Sequence, residues 1–212
     1  MRFALGNFPP GFQPSPILEA NLSLSDKWIL TKTSQLIDST NQNFEEFKLG
    51  EMATGLYDFW KKELADVYLE AIKPVMKGSD AAKKDAALNT LYTVLDRALK
   101  LLHPTMPYLT EELYQRLPHA HGSASKSISI AEFPVLLKNY ASEDVEEKMN
   151  QLLSTKKAIL SQLSALNVAS NAKPTVAVLA RVSHTKAMFD QEKDVVQSLV
   201  KSGETIILGA DD

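Results

Sequence analysis

The sequence contains no cysteine, which excludes disulfide scaffolds, thiol nucleophiles, iron–sulfur clusters and cysteine-ligated zinc. It holds only eight glycines, and none falls in a G-x-G-x-x-G or Gly-Lys-Ser/Thr pattern, so it has no evident phosphate-cradling nucleotide site. No apolar run approaches the roughly 20 residues that cross a bilayer, and Met1-Arg2-Phe3-Ala4-Leu5-Gly6 lacks the apolar core of a secretion signal. By its own signals the chain is neither membrane-bound nor secreted. Charge of one sign is also missing: 23 Lys+Arg face 26 Asp+Glu for a net −3, and no third of the chain is basic. A nucleic-acid partner must therefore be held by a local patch.

What remains is globular material. A chain of 212 residues, 44% apolar and 23% charged, makes one large domain or two small ones with a hydrophobic core. Residues 1–22 hold four of the ten prolines and read as an extended linker arm. Ser23, with Asp26 three residues on, marks a helix start, and the pattern runs to about Gln42. A second helix follows, with Leu49, Met52, Leu56, Trp60, Leu64, Val67 and Ala71 at steps of three and four until Pro74 ends it. The third spans Ser79 to Leu102 and stops at His103-Pro104. Thr110, ahead of Glu111 and Glu112, reads as the cap of a short fourth helix.

Four amphipathic helices with short breaks bury their stripes against one another, so residues 23–140 are expected to form a helical-bundle domain. Within that range, Ser127 to Pro134 alternates with period two, as a short strand or extended segment would. Residues 141–212 are expected to form a long helix from Ser142 to Asn167 and a partial α/β subdomain. The long helix carries Val145, Met149, Leu152, Ile159 and Leu163 on one face, with Lys156 among them. Leu166 completes that face, and the spacing suits either packing on its own chain or a partner helix. The α/β part reads strand (Thr175–Val182), helix (His184–Lys201), strand (Thr205–Leu208), a βαβ unit too small to stand alone. The expected fold is mainly α, with a truncated α/β piece ending at Asp211-Asp212 like a cut end.

Chemistry is sparse. His119-Ala120-His121 has two imidazoles but no carboxylate at a ligand spacing, which favours a solvated loop over a metal site. His103 reads as a helix-end residue near the last carbonyls. Glu45-Glu46, Glu111-Glu112 and Glu146-Glu147 are sequence neighbours, about 100° apart on a helix, and form no acid/base dyad. Trp28 is the odd position. On a helical wheel it falls about 135° from the centre of the Ile29, Leu36, Thr40 and Phe44 face, close to Lys32 and Gln35. A tryptophan flanked by Lys27 and Lys32 at a helix start suits stacking on an unpaired base while cations meet phosphate. The alternative is that another helix or the proline-rich arm covers it.

Three blocks then carry a resemblance: Leu22-Ser23-Leu24-Ser25-Asp26-Lys27-Trp28-Ile29-Leu30; Phe59-Trp60-Lys61-Lys62-Glu63-Leu64-Ala65-Asp66-Val67-Tyr68-Leu69-Glu70-Ala71-Ile72-Lys73-Pro74; and Leu101-Leu102-His103-Pro104-Thr105-Met106-Pro107-Tyr108-Leu109-Thr110-Glu111-Glu112-Leu113-Tyr114-Gln115-Arg116-Leu117-Pro118. Together they resemble the anticodon-binding region of class I aminoacyl-tRNA synthetases, and the Val-Tyr-Leu-Glu-x-x-Lys-Pro and His-Pro-x-Met-Pro forms favour the eukaryotic, fungal valyl branch over isoleucyl or leucyl enzymes. The resemblance implies a bundle that receives the anticodon loop of valine tRNA. It also implies an ATP-dependent ligase, cytoplasmic or alternatively mitochondrial, whose catalytic and editing domains are partners of this region. The His-x-Gly-His and Lys-Met-Ser-Lys-Ser signatures of that class are absent here. No catalytic residue, metal or cofactor is therefore expected within the chain, and ATP belongs to the parent. The expected tRNA-binding residues are Lys27 and Trp28, with Arg2 and Lys32 as neighbouring cations and Lys61 and Arg116 as further candidates. The competing function is a helical protein-interaction or structural module docking through the 145–166 face.

Overall fold

The computed structural model describes residues 2–118, 126–136, 143–169 and 171–209. A short helix, α1 (Arg2–Gly6), stands where the sequence suggested an extended arm. Ala4 is buried in the core, so tertiary contact organises this segment. The arm beyond it does run extended, and the Ser15 N–H donates to Asn89 Oδ1 at 2.7 Å.

Helix α2 (Leu24–Glu45) opens on a capping box, as Ser23 and Asp26 promised. The Ser23 hydroxyl accepts from the Asp26 N–H at 3.1 Å, and the Asp26 carboxylate accepts from the Ser23 N–H at 2.9 Å. Two otherwise orphaned donors are thereby satisfied. Its far end is less ordinary. Phe47 takes φ 57°, with its N–H on the Phe44 carbonyl and the Lys48 N–H on the Asn43 carbonyl at 2.8 Å. This is a Schellman ending with phenylalanine at the left-handed position that glycine usually fills.

Helix α3 (Leu49–Asp58) runs on through ten residues of π-helical winding, Phe59–Tyr68, into α4 (Leu69–Ala71). The run stops at Ala71, just ahead of Pro74. That proline sits in the first turn of a further short helix, α5 (Lys73–Lys77), where a missing N–H costs nothing. Helix α6 (Ala81–Leu102) is capped by Asp80, which accepts from the Ala82 and Lys83 N–H groups at 3.1 Å.

Helix α7 (Pro107–Tyr114) starts three residues before the expected cap. Thr110 lies inside it, donating to the Met106 carbonyl and meeting His103 Nδ1 at 2.7 Å. The stretch 127–134, expected as a short strand or extended segment, is a 3₁₀ turn, Ile128–Ile130, followed by extended chain. Glu111 accounts for the difference, since its Oε2 accepts from the Ser127 hydroxyl at 2.8 Å and the Ile128 N–H at 3.0 Å. That pins the segment to α7, buries Ile128 and leaves Ile130 exposed.

Helix α8 (Glu143–Ala165) packs on α2 and buries Val145, Met149 and Leu152. Strand β1 (Thr175–Leu179) pairs in parallel with β2 (Glu204–Leu208), Thr175 facing Glu204 and Leu179 facing Leu208. The crossover is two helices, α9 (Ser183–Gln191) and α10 (Lys193–Val200), broken at Glu192. Because α10 packs on α4, α5 and α8, the α/β piece shares one core with the bundle. Ser142 and the His119/His121 stretch lie outside the described residues.

Candidate nucleic-acid interface

The sequence-derived residues do not form one patch. Trp28 is only 3% exposed and belongs to the core, which corrects the expectation that it stands clear as a stacking platform. Its stripe on α2 continues through Lys32 and Gln35, and α8 lies along that stripe: Gln35 Nε2 donates to Glu146 Oε1 at 2.9 Å, and Lys32 Nζ pairs with the same oxygen at 3.6 Å. The wheel marked a second packing face, so the alternative of a covered tryptophan holds, and the ring has no face for a base. Lys27 is half-buried near the start of α2. Lys61 is exposed and donates to the Tyr57 hydroxyl at 2.9 Å. Arg116 is exposed and paired with Glu112. Arg2 sits in α1, with its side chain outside the described residues.

Motif residues Asp26 and Tyr68 prove structural. The Tyr68 hydroxyl, wholly buried, donates to Asp26 Oδ1 at 2.7 Å. Burial pushes the Asp26 carboxyl above its ordinary value, opposed by hydrogen bonds from Ser23 and Tyr68. Burial likewise pushes the Tyr68 phenol well up, so it stays a donor at any working pH. This bond ties the first resemblance block to the second.

A cleft of about 700 Å³ lies elsewhere. It opens between α5, the loop at 171–173 and the end of α10, and four lysines line it: Lys73, Lys77, Lys173 and Lys201. Only Glu70 and Asp194 oppose them, and Lys73 pairs with Glu70 at 2.5 Å. Lys73 Nζ also stands 5.3 Å from the centre of the Phe3 ring, which is 44% exposed. Cations beside an accessible aromatic face are the elements that single-stranded nucleic acid needs, one for phosphate and one for a base.

Two backbone details fix the cleft. Lys201 ends α10 at φ 57°. Gly203 then passes so near Lys173 that a Cβ would lie 2.5 Å from its carbonyl oxygen. Asn89, Thr110 and His103 serve packing, and among the described residues no cluster of three His, Asp or Glu could hold a metal. Sequence reading missed Phe3, Lys173 and Lys201 as a group, because residues roughly 170 or more positions apart in number meet only through the packing of α10 on α4 and α5.

A bundle of this plan, with a lysine-lined cleft at one end, has the character of an RNA-receiving domain. The family model described as "Anticodon-binding domain of tRNA ligase" matches residues 26–179, and the chain belongs to that family. The valine–tRNA ligase of Clostridium acetobutylicum is 36% identical over 190 residues, covering 90% of this chain and 21% of that protein. Those of Rattus norvegicus and Schizosaccharomyces pombe are 34% and 33% identical, covering 98% and 97% of this chain but 16% and 21% of their own length. The chain thus spans about a fifth of the relatives it matches. Bacterial, mammalian and fungal enzymes match at similar identity, so the likeness singles out no eukaryotic origin.

Proposed function

We propose that this chain receives the anticodon arm of valine tRNA on behalf of a ligase that attaches valine with ATP. Within it, the Lys73/Lys77/Lys173/Lys201 cleft holds backbone phosphates while Phe3 meets a splayed base. The observation that carries this reading is the cleft itself, four lysines around one opening in a chain of net charge −3. Lys27 and Arg2 are proposed as further phosphate contacts. ATP would be bound by the catalytic body of the parent, whose compartment we propose to be the cytoplasm or, alternatively, the mitochondrion.

Binding here would fix the register of the tRNA, and edge hydrogen bonds to unstacked bases would select the anticodon. The test is a titration of the chain against a valine tRNA transcript and one with altered anticodon bases. Discrimination between them supports the reading, and equal affinity defeats it. The competing idea of a module docking through the 145–166 face loses ground because Val145, Met149 and Leu152 are occupied within the chain.

A further inference from the structure

The helical run from α3 to α5 departs from α-helical bonding in two places, and at each of them another element takes up a carbonyl. The first is the exit from the π segment. The Leu69 N–H reaches back to the Leu64 carbonyl, a step of five residues, whereas the Ile72 N–H reaches back to Tyr68 at 3.0 Å, a step of four. Between them the carbonyls of Ala65, Asp66 and Val67 face only the N–H groups of Glu70 and Ala71, so one carbonyl is left over. Lys156 of α8 donates its Nζ to the Asp66 carbonyl at 2.9 Å. The second place is Pro74. Its ring costs α5 nothing, but it has no N–H to give to the carbonyl four residues behind, that of Glu70. The Ser198 hydroxyl of α10 donates to that carbonyl at 2.6 Å.

Ser198 departs from what hydroxyls inside helices usually do. They turn back to the carbonyl four residues behind, as Thr31, Thr33 and Thr93 do in this chain. Ser198 crosses to a second helix instead, and the residue that it meets already orders the opposite wall of the lysine cleft, because the Glu70 carboxylate pairs with Lys73 Nζ at 2.5 Å. One residue thus holds both walls, Lys73 through its side chain and α10 through its backbone. Glu70, Lys73, Ser198 and Lys201 all line the cleft, and Lys201 ends the helix that carries Ser198. Val196, Leu199 and Val200 already seat α10 by burial. Apolar contact has no direction, so the hydrogen bond adds the register that the seat lacks.

We infer that Ser198 is a positioning residue of the lysine cleft: its bond to the Glu70 carbonyl fixes where Lys201 stands relative to Lys73 and Lys77. Phosphates recur along a strand at a set spacing, so cations held in register bind them better than the same cations on a helix free to shift. The role rests on the reading that this cleft receives RNA, while the bond itself can be tested without RNA.

Filter binding of a valine tRNA transcript is measured for wild type, Ser198→Ala, Ser198→Thr, Lys201→Ala and the Ser198→Ala, Lys201→Ala double variant. Amide hydrogen exchange of the same proteins is followed without RNA. Ser198→Ala should bind about fivefold more weakly, the weight of one neutral hydrogen bond, while keeping its melting midpoint, since the apolar seat is intact and alanine suits a helix. Ser198→Thr keeps the donor and should bind as wild type does. The double variant should bind no more weakly than Lys201→Ala alone, because the hydroxyl acts through that cation. Without RNA, amides 193–201 should exchange about fivefold faster in Ser198→Ala than in wild type or Ser198→Thr, with α6 unchanged. Wild-type binding by Ser198→Ala, equal weakening in Ser198→Thr, or losses that add in the double variant would each overturn the inference. If the wild-type chain binds no valine tRNA, the functional reading falls and exchange alone decides. A rise confined to 193–201 in Ser198→Ala then keeps Ser198 as the residue that sets the cleft, and an unchanged rate removes it.

Discussion

Replacing Tyr68 with phenylalanine deletes one oxygen and keeps the ring. The lost hydroxyl donates at 2.7 Å to a carboxylate that is itself 2% exposed. A hydrogen bond to a charged group contributes about 1.5–3 kcal/mol, against about 0.5–1.5 kcal/mol for a neutral acceptor. Asp26 keeps its bonds to Ser23, so the expected loss at pH 8 is about 2 kcal/mol. In a chain of this length that lowers the melting midpoint by about 4–8 °C.

The pH dependence sharpens the test. Asp26 has a raised value in the folded state, so its contribution to stability is fully present below the ordinary carboxylate range and is lost as pH rises through the folded value. Tyr68→Phe removes a donor that favours the charged form, lifting the folded value further. The variant's deficit must therefore be largest at pH 8 and shrink as pH falls through the folded value of Asp26, where the acceptor becomes neutral. Urea denaturation of both proteins from pH 8 downward reads the difference directly, because the shift at Glu63, which burial also raises, cancels between them. A deficit that is constant with pH, or absent at pH 8, refutes the reasoning.

Trp28→Ala should cost about 3–5 kcal/mol in urea titration, as large aromatic truncations in a core do; a stable variant with weakened RNA binding would return Trp28 to the surface. Gly203→Ala forces a Cβ to within 2.5 Å of the Lys173 carbonyl and should destabilise by about 1–3 kcal/mol while weakening RNA binding. An unchanged melting curve would show that the loop yields. Lys173→Ala and Lys201→Ala should each flatten the log–log salt dependence of tRNA binding by about 0.7, one single-strand phosphate apiece. Filter binding across a salt series measures it, and an unaltered slope removes those lysines from the interface.

The main helices were legible because their stripes recur at three and four: α6 buries Leu88, Leu91, Leu95, Ala98 and Leu99, and the Ser23 box cannot be read another way. The π segment was not. Its buried residues step by five from Phe59 to Leu64, a spacing that would place them about 140° apart on an α-helix and that wider winding brings together. Thr110 and the Ser-Ile-Ser-Ile run misled because local pattern weighs less than distant partners, His103 in one case and Glu111 in the other. Trp28 misled because a helix can have two packing faces, and a wheel drawn from the first cannot reveal the second. The lysine cleft was out of reach, being assembled by α5, α10 and a loop far apart in sequence.

Trp28, buried one turn before the Lys32 and Gln35 contacts with α8, also gives the molecule a built-in gauge. The chain has two tryptophans, and the other, Trp60, lines a pocket at the opposite end from the α2 start. With Trp60 replaced by phenylalanine, intrinsic emission would come from Trp28 alone. Its wavelength would then report whether α8 is seated on α2, moving to the red when the helix lifts and water reaches the indole. A motif tryptophan that offers no surface to RNA can still register, in the light it emits, whether RNA binding loosens that helix.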